Sequence, residues 1–108
     1  MGRMLMRFVF TGRTIYSRQT LIDAIKDKNK EMGSEYFRHK ATIHRMYDYY
    51  NVDYLVLGGC KNSTKKELLD EWNHRQGRQI PIINVDQFFS LLNSISSPLD
   101  IQFVEIDF

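Results

Sequence analysis

The stretch Arg7-Phe8-Val9-Phe10-Thr11-Gly12-Arg13-Thr14-Ile15-Tyr16-Ser17-Arg18 sets a hydroxyl, a glycine and two arginines around the turn between an apolar run and a helix start. A second group, Ser63-Thr64-Lys65-Lys66, follows another apolar run that stops at Gly58-Gly59. These residue types suit a phosphate. A threonine hydroxyl donates one hydrogen bond, and glycine lets a backbone N–H approach closely. A helix N-terminus offers free N–H groups and the positive end of a dipole, and lysine adds a compact charge. The same residues also suit a plain turn, with Thr11 ending a strand, Gly12 reversing the chain and the arginines in water.

Other constellations carry less chemistry. Gly58–Lys66 (GGCKNSTKK) lacks the Gly-Lys-Ser/Thr core of a nucleotide-hydrolysing phosphate loop. His39, His44, His74 and Cys60 match no zinc spacing. Cys60 has no evident base-and-orienter pair around it, so the residues nominate no nucleophile, and Asp48 and Asp53 make no persuasive carboxylate pair. Tyr47, Tyr49, Tyr50 and Tyr54 cluster in sequence. They can stack on bases or pack on a core with the hydroxyl in water, and packing is the reading preferred here. Trp72, at helical spacing from Leu68 and Leu69, reads as core.

Elements must hold the two polar groups in place. Residues 7–11 (RFVFT) and 53–57 (DYLVL) are strand-like, β-branched and aromatic. Ser17 caps a helix over about 18–32 with Leu21, Ile22 and Ile25 on one stripe, and Gly33 ends it. The polar segment 27–40 either extends that helix or makes an exposed excursion. Residues 41–44 (ATIH) form a weak short strand. Ser63 or Thr64 caps a helix over 65–75, ended by Gly77. Residues 80–85 (IPIINV) make another strand, with Pro81 near its start. Asp86 caps a last helix over 87–95. Beyond Pro98, residues 101–108 (IQFVEIDF) read as a further strand. Short apolar strands alternating with helices predict an α/β fold: one three-layer domain over 1–108, with a core over about 7–95 and an extension over 98–108. Its sheet is four-stranded, mostly parallel and flanked by helices, with an extra C-terminal strand.

Composition bounds the setting. The 108 residues are 43% apolar and 26% charged, as in ordinary globular domains. No apolar run is long enough to span a membrane as a helix. One cysteine leaves no disulfide framework, which together with the lack of a signal peptide predicts a cytoplasmic protein. The net charge of +2 is unevenly spread. Residues 1–22 carry Arg3, Arg7, Arg13 and Arg18 with no acid, and residues 79–108 carry Asp86, Asp100, Glu105 and Asp107 with no base.

In order and in residues the chain resembles a BRCT domain, closest in flavour to the single BRCT of bacterial NAD-dependent DNA ligases and of the large subunit of replication factor C. The resemblance runs over about 7–93. It rests on Phe8-Val9-Phe10-Thr11-Gly12, Ser17-Arg18, Asp53-Tyr54-Leu55-Val56-Leu57-Gly58, Ser63-Thr64-Lys65-Lys66, Ile80-Pro81-Ile82-Ile83 and Asp86-Gln87-Phe88-Phe89-Ser90-Leu91-Leu92. It implies a phosphate pocket of Thr11, Gly12 and Lys65, with Lys66 as the alternative register. Arg18 would serve the 5′-phosphate end of DNA and Arg13 a neighbouring phosphate. The implied function is a non-catalytic module that binds 5′-phosphorylated DNA ends or nicks in replication or repair, with no cofactor, metal or membrane partner. The alternative is a protein-interaction module, binding phosphopeptides or dimerising.

Overall fold

Phe8, Val9 and Phe10 are all buried, so the first apolar run has no solvent face, as a strand covered on both sides requires. The computed structural model describes residues 5–12, 15–59, 63–77 and 79–97. Strand β1 is Met6–Thr11, helix α1 Arg18–Met32 and strand β2 Phe37–His39. After a 3₁₀ turn over Met46–Tyr49 come β3 (Tyr54–Leu57), α2 (Thr64–Gln76), β4 (Ile82–Ile83) and α3 (Val85–Ser94).

The four strands form one all-parallel sheet in the order β2-β1-β3-β4. In β1, Phe8 stands opposite His39 on one side and Tyr54 on the other, and Thr11 stands opposite Leu57. Alternation divides the core into two layers. Met6, Phe8 and Phe10 pack with Leu21 and Ile25 of α1 and Phe88, Leu91 and Leu92 of α3. Val9 and Leu55 face the other way, onto Leu69 and Trp72 of α2 and Met46 and Tyr49 of the 3₁₀ turn. The chain leaves β1 for β2 on one side of the sheet and β3 for β4 on the other. With right-handed crossovers, that places α1 and α2 on opposite faces.

The helices are bounded as the sequence predicts, with one exception. Ser17 accepts a hydrogen bond from the Thr20 N–H at 3.1 Å, and Gly33, at φ +81°, closes α1 in the left-handed region. Ser63 accepts from the Lys66 N–H at 3.1 Å. The exception is α3, capped by Asn84 rather than Asp86. Asn84 and Gln87 bond each other's backbone N–H at 2.8 Å in a reciprocal capping box.

Two further corrections concern strands. The second strand lies at Phe37–His39, and Ala41 and Thr42 are exposed. The physical cause is an amide clamp. Asn29 of α1 donates to the Phe37 carbonyl and accepts from its N–H, both at 2.8 Å, so Phe37 is pinned beside β1 with its ring in the core. Segment 27–40 therefore completes a helix and supplies a strand. The strand expected over 80–85 pairs only at Ile82–Ile83, preceded by Pro81, whose carbonyl accepts from Leu55 N–H at 3.0 Å. The extension over 98–108, with its expected strand, lies outside the described residues, as does Arg13. No described helix is long and apolar enough to cross a membrane.

Asn73 repeats the clamp from α2. It accepts from the Ile80 N–H at 2.9 Å and donates to the Ile80 carbonyl at 3.3 Å, and it is buried. Truncation leaves both backbone groups unpaired inside the protein. Asn73→Ala is expected to lower stability by about 2–4 kcal/mol, against a few tenths for exposed Asn93→Ala. Urea unfolding of the two variants checks this, and equal midpoints would remove the clamp from the account.

Candidate phosphate-binding site

The chain reverses just past β1 through Gly12, whose φ of +82° lies where side chains are strained and glycine is not. The Gly58 N–H bonds the Thr11 carbonyl at 2.8 Å, so the turns after β1 and β3 are tied together. These neighbouring strands feed crossovers that leave in opposite directions. A parallel sheet opens a crevice at that point, outside the carboxyl ends of its strands.

The sequence directs four cations, Arg13, Arg18, Lys65 and Lys66, to that point, and the structure brings two of them into contact with one atom. Arg18 Nη1 donates to the Phe10 carbonyl at 2.7 Å, and Lys65 Nζ donates to the same carbonyl at 3.1 Å. Lys65 also reaches the Ala41 carbonyl at 3.5 Å. The guanidinium lies 5.7 Å from the centroid of the Phe10 ring. Arg13 lies outside the described residues. Lys66 is not part of the cluster, because its ammonium pairs with Asp70 at 2.9 Å, one turn along α2. Of the two lysines, Lys65 is the one that reaches the end of β1.

The ion pairs of the described residues involve Lys28, Arg38, Lys66 and Arg75, and neither Arg18 nor Lys65 has a carboxylate partner among them. Arg18 also opens α1, whose first turn holds no acid. Lys65 stands in the first turn of α2. Both cations therefore sit at the positive ends of helix dipoles, the unfavourable placement. Burial, and then the Arg18 charge, pushes the Lys65 ammonium below its ordinary value. Such a cluster favours an anion by charge, by donor supply and by dipole together.

Thr11 plays a different part from the one expected. Its buried hydroxyl donates to Ser63 Oγ at 2.9 Å, tying the end of β1 to the cap of α2. Ser63 Oγ, already accepting from Thr11 and from the Lys66 N–H, keeps its own proton to donate. Ser63 is therefore a better hydroxyl donor to a ligand than Thr11, whose role is to position it. Tyr49 is a second positioning residue. Fully buried, it donates its hydroxyl to the Lys65 carbonyl and so fixes the first turn of α2. Burial, and then Asp70, raises its pKa, so it stays a neutral donor.

His39 is the member that sequence reasoning missed. Its ring lies 5.2 Å from that of Phe10. Burial, then Arg18 and then Lys65, lowers its pKa below 6.5. The only signal in sequence was its position, and that depended on placing β2 correctly. Among the described residues, no three His, Cys, Asp or Glu side chains gather as a metal site would require.

The His39 shift has a consequence for stability. Its folded-state pKa lies below the unfolded value, so the proton is taken up more readily by the unfolded chain. The contribution is complete above pH 6.5 and is lost as pH falls through the folded value. Thermal melts between about pH 7.5 and 5 should fall less steeply for His39→Gln than for the natural chain. Parallel profiles would contradict the placement of this ring.

Comparison of the chain with protein-family models, with curated proteins and with solved structures finds no match.

Proposed function

We propose that this chain is a non-catalytic, BRCT-like module that binds DNA through a 5′-phosphate at an end or nick, in replication or repair. One observation carries the reading: Arg18 and Lys65 meet on the Phe10 carbonyl with no described carboxylate to neutralise them. Two full positive charges cannot be balanced by one carbonyl dipole, whereas a terminal phosphate carries up to two negative charges at neutral pH. Arg18 matches a planar fork to two phosphate oxygens, and Lys65 and Ser63 add a charge and a hydroxyl. The alternative is a phosphopeptide. It draws support from an adjacent cleft of about 480 Å³ lined by Ile15, Tyr16, Leu57 and Val85, which would suit an apolar side chain beside the phosphate.

The readings separate by ligand. In a binding assay with matched duplexes, the 5′-phosphorylated end should bind at least tenfold tighter than the 5′-hydroxyl end, about 1.4 kcal/mol, and affinity should fall steeply with salt. Arg18→Gln and Lys65→Met should each abolish that preference. Lys65→Met should do so without lowering the melting temperature, because the charge it removes is disfavoured in the fold. Equal affinity for the two ends would reject the DNA-end reading. A preference lost only through unfolding would reject the assigned roles.

A further inference from the structure

The four tyrosines that crowd the sequence do not share a fate. Tyr49 and Tyr54 are core residues, whereas Tyr47 is 59% exposed and Tyr50 67% exposed. Tyr50 is the C-cap of the 3₁₀ turn, its N–H bonding the Tyr47 carbonyl at 3.1 Å. Tyr47 meets the ring of Trp72 edge-on, at 6.2 Å between centroids, and leaves the rest of its surface exposed. Tyr47 and Tyr50 both line a groove of about 580 Å³, together with Arg7 of β1, Arg38 of β2 and Lys40 just beyond β2. Arg7 and Arg38 are direct partners in the sheet register.

We propose that this groove holds unpaired nucleotides that run on from the phosphate site, with bases stacked on Tyr47 and Tyr50 and backbone phosphates against Arg38 and Lys40. The proposal rests on the DNA-end reading for its direction along the strand. Charge supports it. Three cations line the groove against Asp48, whose carboxylate is already engaged by the His44 and Arg45 N–H groups at 2.8 and 3.2 Å. The Arg38–Glu35 contact is 3.5 Å between exposed side chains and holds the arginine only weakly. Continuity supports it too. Lys40 lines the groove, and the next residue, Ala41, accepts from Lys65 Nζ. A strand leaving Lys65 crosses residues 39–41 to reach the rings. An acidic peptide would satisfy the cations and make no use of the exposed tyrosine surfaces, whereas every base has a face to stack.

Fluorescence anisotropy tests this with three DNAs: a blunt 5′-phosphorylated duplex, the same duplex with a four-nucleotide 5′ overhang, and that overhang with a 5′-hydroxyl. The overhang should tighten binding about tenfold, the effect of stacking one or two bases. Tyr50→Ala should remove most of the gain and Tyr50→Phe should keep it, while both retain the preference for the 5′-phosphate. Equal binding of blunt and overhanging ends, or a gain unchanged in Tyr50→Ala, overturns the proposal. So does a glutamate-rich peptide that displaces the overhang equally well from the natural chain and from Tyr50→Ala. If the phosphate proves irrelevant but the hydroxyl overhang still gains affinity through Tyr50, the groove stands and the DNA-end reading fails.

Discussion

Two like charges share one carbonyl at the end of the first strand, and much of the site's architecture is the means of keeping them there. Arg18 and Lys65 come from helices on opposite faces of the sheet, and both bond Phe10 O. In water such charges would separate. Here each is held by its helix: Arg18 one residue past the Ser17 cap, Lys65 by the Tyr49 hydroxyl on its own carbonyl. Placing cations at helix N-termini and lowering the pKa of a lysine are both destabilising. A fold that keeps such strain in one place favours the ligand that relieves it.

The sheet explains why these residues meet. A strand buried on both faces must sit between two helical layers, and only parallel pairing brings the starts of α1 and α2 to one edge. The crossovers part between β1 and β3, which opens the crevice beside Thr11 and Gly58. Packing sets the edge rigidly. Phe8 and Phe10 meet the ring of Phe88 edge-on, at 5.1 and 5.2 Å. The amide clamps of Asn29 and Asn73 fix the chain beyond each helix. The Phe10 carbonyl is thus an anchored acceptor that holds both cations in place.

Much of this was legible in residue order. The apolar strands, the Ser17 and Ser63 caps and the Gly33 and Gly77 stops are local signals, and the α1 and α2 they bound form where expected. What failed was non-local. Phe37-Arg38-His39 has no more strand character than Ala41-Thr42-Ile43-His44, and only the reach of Asn29 across eight residues decides between them. That misplacement hid His39. Asn84 and Asp86 are both good caps, and the partner that chose Asn84 is Gln87, three residues on. Thr11 ends β1, and the Lys65 ammonium reaches the carbonyl of the residue before it. That the threonine would give its proton to Ser63 depends on a distance no spacing encodes, whereas the turn of Lys66 to Asp70 is an i,i+4 pair that helical spacing does encode.

Sulfate is a doubly charged oxyanion with no titration of its own near neutrality, so it probes the cluster without nucleic acid. NMR titration of the His39 imidazole, in sulfate and in chloride at equal ionic strength, reads the charge at the site. An anion held by Arg18 and Lys65 must offset their pull on His39, so sulfate should raise its pKa toward or above 6.5. An imidazole that titrates identically in the two salts would show that the cations on Phe10 O hold no anion.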